Sequence, residues 1–535
     1  QDEDGYLDTY YQLVCPAERW TDPESHELYC FGHMIEAGVS YYEGTGKDVL
    51  LKVACRLADH VARTFGPGEN QIPGYRGHEI IEMALSRLAD ATGNQAYHEL
   101  AAWFVHARGE HPEQFYLDGR KEGNPLDYGC WGWGDPEKEL SSYEHVTGHA
   151  VRAMYLYAGM ADVARTEGDE VLAAHCEKLF HDVADSQMYI TGGIGTTAVL
   201  EAYTYPYDLP NSTMYAESCA SIGLCFFAQR LLRMKQESSF ADAMERCVYN
   251  ILPAAVAQDG MHYFYVNPLE INEEACRRSP LKTHVKAQRQ AWYECACCPP
   301  NLARFFLSMP RYLYTMEEKR LSVHLYAESE ASVMLDGQTV RVKQTTRYPE
   351  DGAVILQIAC DADCTAEVSL RIPEWCSSYQ AALDGIGLDE QSMENGYLVI
   401  SGNWKGRHEI RLEMDMKPQW IRSNVRVREN GGKLALCRGP VVYCVEEADN
   451  GILLQDLAVS SAQAAQEVLC RDVDGFGEYI ALEADATRSG QGDTGNKRLY
   501  FPANEERIPA RVRAVPYCLW GERKPGEMLV WMNRG

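Results

Sequence analysis

Basic residues are scarce in this chain: 50 Lys and Arg stand against 78 Asp and Glu, a formal net charge of −28. A surface of that sign repels phosphate backbones and anionic lipid, which excludes nucleic acid and membrane surfaces as partners. No run of eighteen apolar residues occurs, which excludes a membrane-spanning helix. The first six residues are polar and lack the charged and apolar regions of a secretion signal. The glycine run Thr191-Gly192-Gly193-Ile194-Gly195 has no Gly-Lys-Ser/Thr after it, so it is no phosphate cradle. Low-complexity tracts are lacking too. The 19 cysteines do not form the short, even pattern of a secreted disulfide scaffold. They are read as reduced thiols, and the expected compartment is the cytoplasm.

What the chain does have is material for a large core: 46% hydrophobic and 24% charged residues over 535 positions. That length is about three typical domains. Apolar residues recur at helical spacing through 26–42, 49–64, 79–91, 97–107, 150–165, 170–184, 214–234 and 241–254. Short polar turns separate the members of each pair: Glu43-Gly44-Thr45-Gly46, Thr92-Gly93-Asn94, Thr166-Glu167-Gly168-Asp169 and Gln236-Glu237-Ser238-Ser239. Gly after one helix and Asp, Asn or Ser before the next are C-cap and N-cap chemistry, so the spacing predicts αα-hairpins. Repeated hairpins stack into an open solenoid or close into a toroid. The toroid is favoured, because the long Gly-, Tyr-, Trp- and Pro-rich loops at 116–142 and 189–211 would then gather on one side as a site.

After about Tyr314 the pattern changes to short alternating runs of β-branched and aromatic residues, from 321–326 through 441–445 and again at 510–515 and 528–532. Turns such as Asp336-Gly337, Asp351-Gly352 and Asn395-Gly396 separate them, as in antiparallel β-hairpins. The expected fold class is multidomain, α then β. A toroid of helical hairpins over 1–314 is followed by one or two β-sandwich modules over 315–535.

Residues able to carry chemistry fall in a few segments. Cys295, Cys297 and Cys298 lie within four residues, followed by Pro299-Pro300-Asn301. Adjacent cysteines diverge on a regular element, so an irregular loop is expected there, with the prolines opening a helix over 302–309. Thiolates just before a helix start are favoured by its partial positive charge. Glu217-Ser218-Cys219 offers a further carboxylate and thiol. Such ligands suit tetrahedral zinc. Cys219 and Cys297 are 78 residues apart, however, which is no zinc-ribbon spacing, and by pattern alone buried structural thiols stand ahead of a zinc site.

Glu201 follows the glycine run and precedes Tyr203, Tyr205 and Tyr207. Aromatic surroundings raise a carboxyl pKa and make a general acid; a solvated loop acid is the plainer reading. His33, His78 and His149 each follow a glycine near the start of an apolar helix. One such histidine is usually a satisfied core residue, but three in equivalent places would converge on a common centre. Trp131 and Trp133 form either a sugar-stacking platform or a hydrophobic lid.

Several of these segments together resemble glycoside hydrolase family 127, the zinc- and cysteine-dependent β-L-arabinofuranosidases. They are Tyr207-Asp208-Leu209-Pro210-Asn211, Tyr215-Ala216-Glu217-Ser218-Cys219-Ala220 and Cys297-Cys298-Pro299-Pro300-Asn301, with Gly32-His33-Met34-Ile35-Glu36-Ala37 and Gly148-His149-Ala150-Val151-Arg152-Ala153. The likeness runs across the whole chain, and Cys-Cys-Pro-Pro-Asn combined with Glu-x-Cys is its specific part. It implies an (α/α)6 barrel bearing the active site, followed by jelly-roll-like β-sandwich domains. It also implies retaining hydrolysis that releases terminal β-L-arabinofuranosyl units from arabino-oligosaccharides or glycans.

Residue by residue, the resemblance implies Cys297 as nucleophile and Glu201 as acid/base. Glu217, Cys219, Cys297 and Cys298 would hold Zn2+, and His33, His78 and His149 would bond the sugar hydroxyls. A retaining glycosidase needs one group to attack the anomeric carbon and one to protonate the leaving oxygen; here a thiolate replaces the usual nucleophilic carboxylate. The likeness begins late, at Asp4-Gly5-Tyr6-Leu7, so eight or nine helices are expected where twelve close such a ring. The expected partner is a small L-arabinofuranoside, and a homodimer through the C-terminal sandwich is compatible with the class.

Two other readings stand beside this one. An α/α-barrel sugar epimerase working through paired histidines uses His33, His78 and His149 but leaves the cysteine and glutamate pairs idle. A non-catalytic carbohydrate-binding protein would use zinc only to staple the loop. A glycosidase acting on a different pentose or deoxy sugar is a variant of the first reading.

Overall fold

After a short helix, Thr9–Leu13, three helical hairpins follow in the computed structural model, which describes residues 1–22, 25–75, 77–108, 140–388, 393–471, 475–489, 499–500 and 506–535. They pair Glu27–Thr45 with Val49–Thr64, Ile81–Thr92 with Gln95–Ala107, and Ala150–Glu167 with Glu170–Ser186. Each first helix ends on a glycine in the left-handed region, Gly46, Gly93 or Gly168, at φ 70°, 71° and 67°. There the glycine N–H closes the last turn at no steric cost. Asn94 and Asp169 then cap the second helix, their side chains accepting from Ala96 N and from Val171 N and Leu172 N.

In the third hairpin burial separates the two members. Ala150–Ala164 is buried on every face, whereas Glu170–Ser186 buries only Cys176, Leu179, Phe180 and Val183. A helix apolar all round is packed on all sides, and one with a single stripe faces one neighbour. The first helices also pack on one another, Glu27–Thr45 against Ile81–Thr92 and Ile81–Thr92 against Ala150–Glu167. Gly159 permits the second approach: a Cβ there would lie 2.6 Å from Glu82 Cβ. These helices belong to a compact unit of Gln1–Gln187, Val199–Pro206 and Gly223–Met234; a second comprises Met188–Ala198, Tyr207–Ile222 and Lys235–Gly535.

Two expected helices differ. The run over 214–234 begins only at Ser218, because Ala216 takes φ 46° and Glu217 pairs with Val266 as a β-bridge. The run over 241–254 is α-helical at Ser238–Arg246, then opens into a π turn over Cys247–Ile251. Pro253 supplies no N–H to the α ladder, and the Leu252 N–H reaches back to Cys247 O.

The second unit carries three sheets. One has six strands in the order Ser329–Leu335, Gln338–Thr346, Ala353–Cys360, Gly406–Met414, Tyr379–Leu383 and Ile386–Gly387. A five-stranded sheet runs Met393–Glu394, Tyr397–Asn403, Thr365–Arg371, Arg320–Val323 and Tyr314–Glu317. Both turn their apolar faces into one core, with Val340, Leu356 and Ile410 from the first and Leu321, Val368 and Ile400 from the second. A ten-stranded, mainly antiparallel sheet formed largely by residues 418–534 has its own core around Leu436, Val445, Leu482 and Val512.

Two-residue turns fall where expected at Asp336-Gly337 and Asn395-Gly396, with both residues of each at positive φ. Asp351-Gly352 is different. It ends a longer loop, and its glycine admits the Met414 backbone, whose carbonyl oxygen would lie 2.1 Å from a Cβ. Among the described residues no helix is long and apolar enough to cross a membrane, and the described cysteines are free thiols.

Candidate active site

Glu217 is presented by a short extended segment clamped from several sides. Tyr215 N and Ala216 N both donate to Gly195 O, at 3.3 and 2.9 Å, and Asn267 Nδ2 donates to Ala216 O at 3.0 Å. His284 stacks on Tyr215, and its Nε2 lies 3.2 Å from the carbonyls of Thr213 and Met214. The helix Ser218–Leu232 starts directly after Glu217 and places Cys219 in its first turn. A second helix, Cys298–Leu307, brings the other thiols, with Cys297 at its N-cap and Cys298 as its first residue. The expectation of an irregular loop for the adjacent cysteines is therefore corrected. Cys297 already has helical dihedrals, φ −69° and ψ −43°, and the two sulfurs sit 3.6 Å apart at a helix start.

The donor atoms of Glu217, Cys219, Cys297 and Cys298 all lie within 4.8 Å of one another. Cys297 Sγ is 3.2 Å from Glu217 Oε1, Cys298 Sγ 3.6 Å from the same oxygen, and Cys219 Sγ 3.7 Å from Cys298 Sγ. Tyr265 Oη lies 3.2 Å from Cys297 Sγ.

Among protein atoms alone the three thiols are held protonated. Burial raises the pKa values of Cys219 and Cys298 far above the usual thiol range. Cys297 is raised first by its hydrogen bond to Cys219, then by Cys295. Pro299 and Pro300, in the first turn of the second helix, have no N–H to offer a thiolate. A carboxylate and three thiols are donor types that suit a tetrahedral metal ion, and a bound divalent cation would favour their ionised forms. The residues fit a metal ion.

Glu201 lies in a different setting. It ends the turn Val199–Glu201, where Leu200 and Glu201 both have left-handed dihedrals, φ 57° and 53°. Each such residue costs about 1–3 kcal/mol, a strain characteristic of functional sites. Glu201 Oε2 is 3.3 Å from His149 Nε2.

His149 caps the helix Ala150–Glu167 and meets His78 with ring centroids 5.6 Å apart. Tyr29 then links His78, at 4.7 Å, to His33, at 4.3 Å. The three sequence-predicted histidines thus share one aromatic cluster, in which His78 and His149 are buried and Tyr29 and His33 half-buried. Burial, then the Arg152 charge, lowers the pKa of His78 well below the usual imidazole range; burial likewise lowers that of His149 against the pull of Glu201.

Sequence reasoning missed Tyr265, Tyr29 and His26. His26, Tyr29 and His33 stand at helical spacing on one face, a signal that was available; Tyr265 had none. Trp131 and Trp133, and nearly all of the loop at 116–142, lie outside the described residues.

The chain thus joins a helical region to β-rich domains and carries a thiol-and-carboxylate cluster that could hold a metal ion. The profile of the β-L-arabinofuranosidase GH127 catalytic domain matches residues 1–311, that of the GH127 middle domain 320–416, and that of the family 127 C-terminal domain 418–533. The chain belongs to glycoside hydrolase family 127 and is a glycoside hydrolase. It is 36% identical to a non-reducing end β-L-arabinofuranosidase from Bifidobacterium longum subsp. longum, over 100% of this chain and 83% of that protein. The solved structure of a GH127 β-L-arabinofuranosidase from Geobacillus stearothermophilus T6 is 40% identical, with a TM-score of 0.96 over 100% of this chain and 84% of its own. A further GH127 β-arabinofuranosidase structure is 31% identical, with a TM-score of 0.85 over 100% and 82%.

Proposed function

We propose that this protein is a retaining exo-β-L-arabinofuranosidase, releasing terminal β-L-arabinofuranosyl residues from arabino-oligosaccharides or glycans. The observation that carries the reading is the Glu217–Cys219–Cys297–Cys298 cluster, in a chain that aligns along its full length with a non-reducing end β-L-arabinofuranosidase. Zn2+ is the metal proposed for these four donors. When bound, it supplies the positive charge that keeps the thiols ionised and makes sulfur a competent leaving group.

Cys297 attacks the anomeric carbon as the bond to the leaving oxygen breaks, and Glu201 gives that oxygen its proton. Glu201 then takes a proton from water, which attacks the same carbon and breaks the carbon–sulfur bond. Two inversions give net retention. Tyr265 orients the nucleophilic sulfur by hydrogen bonding. His33, His78 and His149 are the proposed contacts to sugar hydroxyls, and burial favours the neutral form of His78 and His149.

In the same reading the hairpins form an (α/α)6 barrel within a 1–314 catalytic domain, supported by first helices that pack on one another, the third of them buried on every face. Residues 315–535 form jelly-roll-like β-sandwiches, supported by the core that two sheets share. The epimerase reading leaves the thiol cluster without a role.

Proton NMR of a β-1,2-linked L-arabinofuranosyl disaccharide, with the protein, Zn2+ and a reductant, tests the proposal. Arabinose appearing first in the β configuration, and absent with Cys297→Ser, is the expected result. Release that survives Cys297→Ser overturns the nucleophile.

A further inference from the structure

We infer that His149 is a positioning residue for Glu201, fixing which carboxyl oxygen carries the transferable proton. The inference rests on the acid/base reading of Glu201 given above. His149 caps its helix through the ring: Nδ1 accepts from Val151 N at 3.2 Å and Arg152 N at 3.5 Å. A ring nitrogen that accepts is unprotonated, so the neutral imidazole carries its hydrogen on Nε2. The ring is buried, which favours that neutral form. With the tautomer set, the 3.3 Å contact to Glu201 Oε2 is an N–H donating to a carboxylate.

The backbone ties the same two segments together. His149 and Ala202 form an antiparallel bridge, and Tyr203 N donates to Gly148 O at 2.9 Å. The two left-handed residues, Leu200 and Glu201, are held by this pairing. Among the described residues, His78 and Arg152 are further titratable or charged groups near the ring. Arg152 disfavours a second proton on either histidine.

Because Nε2–H occupies Oε2, a proton on the Glu201 carboxyl resides on Oε1. In the first step Oε1–H passes to the leaving oxygen while the carbon–oxygen bond breaks and the Cys297 sulfur bonds the anomeric carbon. In the second, Oε1 takes a proton from the attacking water as the carbon–sulfur bond breaks. His149 keeps its own proton throughout.

The test compares wild type, Glu201→Gln, His149→Asn and His149→Gln on two substrates. One is the β-1,2-linked disaccharide, whose sugar leaving group needs a proton. The other is 4-nitrophenyl β-L-arabinofuranoside, whose phenolate departs with little help. Asn keeps a helix-capping oxygen but is too short to reach Glu201; Gln is long enough to extend an amide N–H towards it. Thermal melts run alongside.

On the disaccharide, Glu201→Gln is expected to lose ~10³-fold in kcat and His149→Asn ~10–100-fold with KM nearly unchanged. Both keep a near wild-type burst of nitrophenolate, and His149→Gln recovers part of the loss. If Glu201→Gln shows the aryl preference and His149→Asn instead raises KM equally on both substrates, His149 is a sugar contact only and the inference fails. If Glu201→Gln shows no aryl preference, the acid/base reading fails and the inference goes with it.

Discussion

Cys219 Sγ and Cys298 Sγ stand 3.7 Å apart although 79 residues separate them in the chain. Each sits in the first turn of its own helix, so two helix starts meet at these sulfurs. The partial positive charge at both starts favours anionic donors, and Glu217 and Cys297 complete the group one or two residues away.

Zinc content is expected to follow this cluster and not the neighbouring thiol. Purified protein is expected to carry about one Zn2+ per chain by mass spectrometric metal analysis, and Cys219→Ser or Glu217→Gln close to none. Cys295→Ser keeps the full content, because Cys295 stands outside the four-donor group. At a free metal level of 100 times Kd, binding adds about 2.7 kcal/mol, so chelation lowers Tm by several degrees.

Tyr265→Phe tests the hydroxyl 3.2 Å from Cys297 Sγ. A hydrogen bond to a charged group is worth about 1.5–3 kcal/mol, so kcat is expected to fall ~10–100-fold at nearly constant KM and zinc content. Unchanged kcat would remove Tyr265 from the reaction.

Acid is expected to weaken the middle β region through His324. Burial, helped by the nearby Arg371 charge, pushes its pKa down to about 3, and its ring nitrogens meet Tyr397 Oη at 2.7 Å and Thr315 Oγ1 at 2.8 Å. In the unfolded chain the pKa is about 6.5. The unfolded state therefore binds the proton first: stability is whole above about pH 6.5 and is lost as pH falls towards 3. The loss is about 2 kcal/mol by pH 5. Urea midpoints between pH 7 and 5 should fall further in wild type than in His324→Gln; parallel curves would refute the assignment.

Gly159→Val should destabilise by about 1–3 kcal/mol, because the added side chain meets Glu82 Cβ and Met83 N where two buried helices touch. Thermal melting reads this directly. Gly46→Ala, in open space but at positive φ, should cost less, about 1 kcal/mol.

The local code was well legible. Val49–Thr64 falls on its predicted bounds, and the glycine and Asn or Asp caps lie where the turns indicated, since capping depends on neighbours in sequence. Strands such as Gln338–Thr346 alternate in burial as their residues alternate in type. The π turn at Cys247–Ile251 was not legible as such, although Pro253 marks its cause.

For the site, spacing argued against a four-donor group, because Glu217 reaches Cys297 through pairing with Val266 and clamping by Asn267, contacts remote in sequence. Only the family resemblance joined those segments. Adjacent cysteines on a regular element were expected to diverge, yet here the first helical turn and its cap bring both sulfurs to one side. Tyr265 carries no sequence cue: it is one tyrosine among 32.

The two left-handed residues before the aromatic loop, Leu200 and Glu201, have a consequence in time. Their conformational cost is met once, when the chain folds, and is not repeated at each turnover. On the acid/base reading proposed for Glu201, each incoming sugar would meet a carboxyl group already turned for proton transfer. Leu200→Gly would ease folding and loosen that readiness together, leaving a sturdier catalyst that works more slowly.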